Sequence, residues 1–410
     1  MNRRVVITGV GVISPVGTDL DSLWEACLQG RSGIREVTLF DVTDWATRIA
    51  AEVQGFDPTE YMDPKLAKRA DRFTQLGLAS VVRAMADSGL EITAANRDRV
   101  GVLLSSGIGG MATWEEQHTR LVRGGPTRVS PFMIPMLISN MLAGMASMMT
   151  DARGPNLSVT TACATSTHAI GLATDLIRLG RADAFLAGGA EAGITPSGFA
   201  GFVAAKAMSR RNDDPEHACR PFDVDRDGFV MGEGGATVIL EELEGARARG
   251  AKIWGEVLGY GMSGDAYHMT APRPDGSGAA AAMRAALQDA GVEASDVDYV
   301  NAHAPGTQEG DAMEAMAIRQ VVGDSVPVSS TKPVHGHLLG AAGATEALVC
   351  IQTIREGLIP HTVNCDHPDP DLGLDLVREA PRAAQVEIAL SNSFGFGGHN
   401  AVLVVGPPPD

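Results

Sequence analysis

The sequence predicts an α/β fold in which one layered unit occurs twice. Three observations support this prediction. Of the 410 residues, 44% are hydrophobic, only 5% are aromatic and 48 are glycines, which is typical of a close-packed α/β protein with many tight turns. Short β-branched runs alternate with helical segments along the chain. Near Gly250 the alternation begins again, so an internal duplication explains it better than two unrelated domains, and we expect halves at 1–250 and 251–410.

In the first half, a β-branched strand over 4–15 runs into a glycine-rich segment. Gly9 and Gly11 lack the GxGxxG spacing of a dinucleotide site, so we interpret them as turn residues. The pattern further predicts strands over 100–106, 158–161, 182–190 and 237–241, and helices over 21–28, 63–86, 136–148 and from 164 onward.

The second half repeats the alternation of strand, loop and helix. The pattern predicts strands over 253–260, 297–301, 326–330, 375–377, 386–391 and 401–405, and helices over 276–290 and 338–355. In each half, one helix begins next to a residue that is capable of chemistry, which again favours a duplicated unit.

Charge and cysteine content limit the possible partners and compartments. A net charge of −17 argues against nucleic acid or an anionic membrane as the main partner. The five cysteines form no CxxC pair, which suits reduced thiols in a cytosol. The apolar run over 132–149 is interrupted by Pro135 and Asn140, so we expect a buried or interface helix there and a soluble, cytoplasmic protein.

The segment 158–171 contains a cysteine at a predicted strand-to-helix turn. Residues 158–161 end a strand, and from Ala164 small and aliphatic residues continue as a helix. Unpaired N–H groups at a helix start favour negative charge, so the position is expected to lower the pKa of the Cys163 thiol and to expose a nucleophile. The alternative is a small buried cysteine in a core helix.

Two histidines and a lysine follow predicted strands in the second half. His303 comes just after the strand over 297–301, and Lys332 and His337 lie between the strand over 326–330 and the next helix. A single histidine at a strand end is usually structural. Two of them with a lysine, at the strand ends where ligands gather in α/β sheets, indicate a site. The glycine-rich segment 395–400 either offers N–H groups to an oxyanion or is a hairpin turn.

A basic stripe stands out in this acidic chain. Lys65, Lys68, Arg69 and Arg72 are spaced i, i+3, i+4 and i+7 in the predicted helix over 63–86, which places them on one face. Nearby acidic residues allow an ordinary solvated surface. The alternative is a docking surface for an acidic partner.

Four motifs together resemble the β-ketoacyl-acyl carrier protein synthase family, in particular its ketoacyl synthase II branch and the actinobacterial members. They are Thr-Ala-Cys163-Ala, Asn-Ala-His303, Lys332 with Gly-His337-Leu-Leu-Gly-Ala-Ala-Gly, and Asn-Ser-Phe-Gly-Phe396-Gly-Gly-His-Asn. The likeness extends over essentially the whole chain. It implies a thiolase-like fold layered α-β-α-β-α, with the nucleophile in the first half and the two histidines in the second.

The resemblance also implies roles for these residues. Cys163 would take an acyl chain from the pantetheine thioester of the carrier protein, with its own N–H and that of Phe396 forming the oxyanion hole. His303 and His337 would bind the malonyl thioester carbonyl and stabilise the enolate that remains when CO₂ leaves. Lys332 would hold this network in place. No metal or cofactor would take part, because the substrates are carried on the phosphopantetheine of acyl carrier protein.

Further residues receive supporting roles from the same resemblance. The protein would bind acyl carrier protein and form a homodimer, or a heterodimer with a chain-length factor. The supporting residues are Glu346 beside Lys332, Phe394 with Phe396 at the gate of the acyl pocket, Ile108 at its floor, Thr270 and Thr307 on the pantetheine arm, and Lys65, Lys68, Arg69, Arg210 and Arg211 facing the carrier protein.

One departure and two alternatives stay open. The common family form is His-Gly-Thr-x-Thr, whereas this chain has His303-Ala-Pro305-Gly-Thr307, so a hydroxyl and an N–H are missing from the pantetheine loop. His335 is also unusual, and we interpret it as a bystander. Besides fatty acid elongation, the chain could be the ketosynthase subunit of a type II polyketide synthase. A catalytically silent partner subunit would lack the nucleophile, so the cysteine disfavours that reading.

Overall fold

The computed structural model describes residues 3–409, and its first half alternates strands and helices as predicted. Its strands are β1 (Val5–Ile13), β2 (Arg35–Glu36), β3 (Ile49–Ala50), β4 (Val100–Ser105), β5 (Asn156–Leu157), β6 (Ala184–Glu191) and β7 (Gly234–Glu242). Its helices are α1 (Leu20–Gln29), α2 (Pro64–Ala67), α3 (Arg72–Ser88), α4 (Met111–Gly124), α5 (Met133–Leu137), α6 (Met141–Thr150), α7 (Thr165–Arg178), α8 (Pro196–Ala204) and α9 (Leu243–Ala248).

The second half continues the alternation. Its strands are β8 (Gly255–Gly264), β9 (Tyr299–Asn301), β10 (Pro327–Ser329), β11 (Leu358–Ile359), β12 (Asp375–Leu376), β13 (Arg382–Ala383), β14 (Ala389–Gly395) and β15 (His399–Gly406). Its helices are α10 (Ser277–Ala290), α11 (Gln308–Val321), α12 (Lys332–His335) and α13 (Ala342–Glu356).

The strand order shows the duplication directly. One run goes β5-β4-β6-β7-β1 and the other goes β10-β9-β14-β15-β8, with β12 added beyond β10. In each run the first three strands are parallel and the fourth is antiparallel to both of its neighbours. A short pairing of Val6 and Ile7 with Glu256 and Gly255 joins the two runs. The predicted duplicated α/β fold is therefore confirmed.

Helices cover both outer faces and fill the space between the runs. Helices α3 and α6 pack on the first run, and α10 packs with α11 on the second. Helices α7 and α13 pack on each other and on the inner faces, where Ile170 and Leu348 share one hydrophobic core with Leu240 and Val257. This arrangement is the layered α-β-α-β-α fold, and its two central helices bring the halves together at one place.

Paired glycines allow the outer helices to approach the strands closely. A Cβ on Gly9 would lie 2.4 Å from the Ala84 carbonyl oxygen, and a Cβ on Gly11 would lie 2.1 Å from the Ser80 carbonyl oxygen. Both carbonyl groups belong to α3. In the second half, Gly259 and Gly261 meet α10 in the same way. The interpretation of Gly9 and Gly11 as turn residues is therefore wrong, because both lie inside β1 under a helix.

Three other local predictions need correction. The helix predicted over 63–86 divides into α2 and α3, because Asp71 caps a new helix. Arg72 therefore does not join the basic stripe, and its guanidinium pairs with the buried Glu233 carboxylate at 2.6 Å. The helix over 136–148 divides into α5 and α6, and the strand before Cys163 ends at Leu157. Within residues 3–409, no helix is long and apolar enough to span a bilayer.

Candidate active site

Two pairs of parallel strands, β4 with β6 in the first run and β9 with β14 in the second, place residues at or just after their carboxyl ends around one cavity of about 470 Å³. Ile108 follows β4, Glu191 ends β6, His303 follows β9 and Phe396 follows β14. Ligands gather at the carboxyl ends of strands in such sheets. Cys163 and His337 line the same cavity. The structure therefore brings together the residues that the sequence singled out in both halves.

Cys163 lies in a single 3-10 turn that leads into α7. The preceding Ala162 has φ of 51°, a left-handed conformation unusual for a residue with a side chain, and it directs the sulfur into the cavity. The Phe396 N–H lies near enough to favour the charged form of the Cys163 thiol, and His337 Nε2 lies 2.9 Å from the Cys163 sulfur. The sulfur is thus placed between a backbone N–H group and an imidazole.

The expected lowering of the thiol pKa is wrong for this arrangement. Burial raises the pKa of Cys163 to about 12, and the nearby charge of Lys332 and the Phe396 N–H oppose this only in part. Desolvation disfavours the thiolate more strongly than the helix start favours it. The resting sulfur is therefore a neutral thiol that must give up its proton when it reacts.

The two histidines form an edge-to-face pair beside the sulfur. Their ring centroids are 5.2 Å apart at an interplanar angle of 80°. Burial, followed by the charge of Lys332, holds the pKa of both His303 and His337 well below the usual value, so both rings are neutral. Within residues 3–409, neither Nδ1 atom has a hydrogen-bond partner, so the protein does not fix their tautomers.

Lys332 and Glu346 form an ion pair that is fully buried beneath the histidines. Lys332 begins α12, and Glu346 lies in α13, which follows His337. Burial raises the pKa of Glu346 to about 7 in spite of the lysine. The pair ties together the two elements that flank His337.

The loop that carries His303 is held by two buried carboxylates of α11. Glu314 accepts hydrogen bonds from the N–H groups of His303 and Ala304 at 2.8 and 2.6 Å. Asp311 accepts from Gly306 and Thr307, each at 3.1 Å. Neither residue nor the helix α11 that carries them was predicted from the sequence. Acidic residues spaced i, i+3 in the Ala- and Met-rich stretch 311–318 were the signal.

Glu191 is a further buried carboxylate that the sequence analysis left without a role. Its Oε1 accepts from Ser106 Oγ at 2.6 Å and from the Ile108 N–H at 3.2 Å. Its Oε2 accepts from the N–H groups of Gly107 at 2.9 Å and Gly340 at 3.0 Å. It therefore joins the Ile108 loop to the segment just after His337, on the side of the cavity that faces the sulfur.

We expect Glu191→Gln to lower turnover about 10-fold at pH 8, since an amide replaces the acceptor for two N–H groups. Burial raises the pKa of Glu191 to about 6, so below that pH the native side chain is itself protonated and resembles the amide. The ratio of native to variant activity should therefore fall toward one as the pH drops through 6. A pH profile of both proteins checks this, and a constant ratio would contradict it.

The other predicted lining residues lie around the same cavity. Ile108, Thr270, Thr307 and Pro305 line it, and Phe396 lies partly exposed in the turn between β14 and β15. Phe394 is buried within β14, with its ring 6.0 Å from that of His303.

His335 does not reach the cavity, because its ring lies 3.0 Å from Thr331 Oγ1 and 2.7 Å from the Gly336 carbonyl. It is a structural part of the α12 loop.

The predicted basic residues are exposed in two groups. Lys65, Lys68 and Arg69 surround α2, and Arg69 stacks over Phe132 with 4.6 Å from its guanidinium carbon to the ring centroid. Arg210 and Arg211 contact Asp227, which lines the cavity. The second group therefore lies near the mouth of the cavity.

A duplicated five-layer fold with a cysteine at one central helix and a histidine before the other defines a thiolase-like protein. The chain belongs to the β-ketoacyl synthase family: residues 2–246 match the model "Beta-ketoacyl synthase, N-terminal domain", and residues 254–366 match the corresponding C-terminal domain.

Individual relatives agree with this assignment. The chain is 51% identical to 3-oxoacyl-[acyl-carrier-protein] synthase 2 of Vibrio cholerae over 407 residues, covering 98% of each chain. It is 50% identical to the protein of the same name from Synechocystis, covering 98% of this chain and 97% of that one. A β-ketoacyl synthase structure from Burkholderia phymatum superimposes with a TM-score of 0.94 at 36% identity, covering 99% and 100%. The structure of the ishigamide ketosynthase/chain length factor superimposes with a TM-score of 0.93 at 36% identity, and the match covers all of both chains.

Proposed function

We propose that this protein is a β-ketoacyl-acyl carrier protein synthase that elongates fatty acyl chains by decarboxylative Claisen condensation. The observation that carries the proposal is the placement of one cysteine thiol within 4.8 Å of two neutral imidazoles in a single cavity. In this proposal the half 1–250 supplies the nucleophile and the half 251–410 supplies the histidines.

In the first step, the Cys163 sulfur attacks the carbonyl carbon of an acyl thioester on pantetheine. Its proton passes to His337 Nε2, 2.9 Å away, which accepts it because the ring is neutral. The N–H groups of Cys163 and Phe396 stabilise the oxyanion. The carbon–sulfur bond to pantetheine then breaks, and the proton moves to the leaving sulfur, which restores the neutral imidazole.

In the second step, the Nε2–H groups of His303 and His337 bind the carbonyl oxygen of a malonyl thioester. His337 can change from acceptor to donor because no partner within residues 3–409 holds its Nδ1. The carbon–carbon bond to the carboxylate breaks and CO₂ leaves. The electron pair of that bond forms an enolate, whose oxygen is stabilised by the two imidazole N–H groups. The enolate carbon attacks the acyl group on Cys163, and the released sulfur takes one proton from solvent.

The remaining site residues support these steps. Lys332 adds positive charge beneath both rings, with Glu346 as its partner. Ile108 forms the floor of the acyl pocket, Phe396 its gate with Phe394 as the adjoining wall, and Thr270 and Thr307 hold the pantetheine arm. No metal or cofactor is part of the proposal. The cytoplasm is the proposed compartment because all five cysteines are unpaired thiols.

Fatty acid elongation is favoured over polyketide assembly by the order of similarity. The relatives at 50–51% identity are named 3-oxoacyl-[acyl-carrier-protein] synthase 2. Three solved structures that are named for a chain length factor or a type II polyketide synthase are 27–36% identical to this chain. We propose a homodimer that acts on acyl carrier protein.

The test of the function combines the purified chain with acyl- and malonyl-acyl carrier protein. The expected result is one CO₂ released per β-ketoacyl product, measured together by radiolabel and mass spectrometry. Activity of the chain alone supports elongation by a homodimer. Activity only after addition of a second ketosynthase-like protein would favour the polyketide reading, and no product in either case would refute the reaction.

A second prediction concerns the carrier-protein surface. We expect Lys65→Glu with Lys68→Glu to raise the KM for the carrier-bound substrate about 10-fold with little change in kcat, because the charges act on encounter rather than on chemistry. The effect should shrink as ionic strength rises. Arg284→Glu on the outer helix α10 is the matched control. An equal rise in KM for that variant would refute a local docking surface.

A further inference from the structure

The active-site cavity holds three side chains that also form a ligand set for a metal ion. One ligand atom each from Cys163, His303 and His337 lies within 4.8 Å of the other two. Thiolate sulfur and imidazole nitrogen are the ligands that Zn²⁺ prefers, whereas Mg²⁺ and Ca²⁺ select oxygen. Both histidines are nearly inaccessible, at 7% and 2% exposure, and the ligands approach one another across the cavity.

We propose that this triad binds one Zn²⁺ ion reversibly and that the bound ion inhibits the enzyme. The sulfur would give up its proton to solvent on binding, and the ion would exchange water for three protein ligands. The cavity leaves the fourth position for a water molecule, so the site has the three-ligand form of an open zinc site rather than a closed structural one.

The geometry needs only small side-chain movements. Zinc–sulfur bonds of about 2.3 Å and zinc–nitrogen bonds of about 2.0 Å place the ligand atoms roughly 3.3–3.5 Å apart in a tetrahedron. The observed separation of Cys163 Sγ and His337 Nε2 is 2.9 Å, and the other two pairs lie within 4.8 Å. Within residues 3–409 the Nδ1 atoms of His303 and His337 have no hydrogen-bond partner, so no hydrogen bond at Nδ1 has to break when either ring rotates.

The surrounding charges set the strength of this site below that of a structural zinc site. The buried Lys332 opposes a cation, but Glu346 is paired with it, and the Glu191 carboxylate lines the cavity. Among the described residues, 3–409, none accepts or donates a hydrogen bond at the Nδ1 atom of either imidazole to orient it, which weakens binding further. These features indicate an exchangeable inhibitor rather than a permanent part of the fold.

A second group of possible ligands provides the control. Asp223, Asp225 and His367 also lie within 4.8 Å of one another. However, Asp223 already accepts hydrogen bonds from Arg220 and from two backbone N–H groups. Two of the three possible ligand atoms in this group are carboxylate oxygens, which suit zinc less well than sulfur. We therefore assign the zinc to the cavity and not to this surface group.

Zinc and the acyl group must exclude each other, because both occupy the same sulfur. An acylated Cys163 has no free thiolate for the ion, and a zinc-bound sulfur is a weaker nucleophile whose metal ion lies where the thioester would have to approach. Inhibition by zinc should therefore be relieved by preloading the acyl chain and reversed by a chelator. This dependence distinguishes the site from general precipitation by the metal.

The test uses the full chain after chelator treatment, with Zn²⁺ measured by competition against a chromophoric chelator and Co²⁺ as a spectroscopic probe. We expect one exchangeable ion per chain and a sulfur-to-cobalt charge-transfer band in the near ultraviolet. Cys163→Ser should weaken binding at least about 100-fold and remove the band. His367→Ala should change neither.

Each alternative outcome has a definite meaning. Equal zinc uptake by the native chain and Cys163→Ser, or a cobalt spectrum without the sulfur band, would overturn the proposal. Loss of uptake in His367→Ala would place the metal on the surface instead. If Cys163→Ser does not fold, the acyl-loaded native protein replaces it, and undiminished cobalt binding there would refute the site. None of these readouts requires the condensation reaction itself.

Discussion

Cys163→Ala is expected to abolish condensation, by at least about 10⁴-fold, while CO₂ release from malonyl-acyl carrier protein continues. The two half-reactions use different atoms in this site. Acyl transfer needs the sulfur, and within residues 3–409 Cys163 is the one cysteine that lines the cavity. Decarboxylation needs only the imidazole donors, and these remain when the thiol is removed.

The measurement follows product and CO₂ in parallel over the same time course. His303→Ala is the complementary variant, because it should still become acylated on Cys163 but should lose decarboxylation. Cys27→Ala is the control, since it removes a fully buried thiol that lies in α1 and does not line the cavity. A Cys163→Ala variant that still condensed would remove that residue from its proposed role.

The elements that the sequence predicted best are those decided by a local pattern. The strand β6 and the helix α10 have clear apolar periodicity, and both lie within two residues of the predicted bounds at each end. The motifs around Cys163, His303, Lys332 and His337 likewise belong to turns after strands, and the topology brings these turns to one cavity. Within each half the carboxyl ends of the parallel strands lie at one edge, so convergence there could be expected, whereas the meeting of the two halves depends on how they pack.

What could not be predicted depends on contacts between distant segments. Gly9 and Gly11 look like turn glycines until a helix that begins more than sixty residues later is placed on them. The pKa of Cys163 was misjudged for the same reason, because a local helix start is visible in the sequence but burial by the opposite half is not. Glu191 receives its four hydrogen bonds from two loops that only the fold brings together.

The second large effect concerns the buried ion pair. Glu346→Ala should lower the free energy of unfolding by about 3–5 kcal/mol, because it leaves the Lys332 ammonium buried without a partner. Both side chains have no exposed surface, so water cannot replace the missing carboxylate without rearrangement. Denaturant unfolding of the native protein and the variant measures the difference. A loss below about 1 kcal/mol, as for a surface pair, would contradict the burial.

The double variant Lys332→Met with Glu346→Leu separates stability from catalysis. Replacing both charges by apolar groups of similar size removes the unpaired charge, so most of the lost stability should return. Activity should not return, because the cation beneath His303 and His337 stabilises the enolate, and loss of such an electrostatic contribution typically lowers kcat about 10²–10³-fold. A double variant that regained both would make the pair merely structural. One that regained only stability would show that the lysine is retained for its charge.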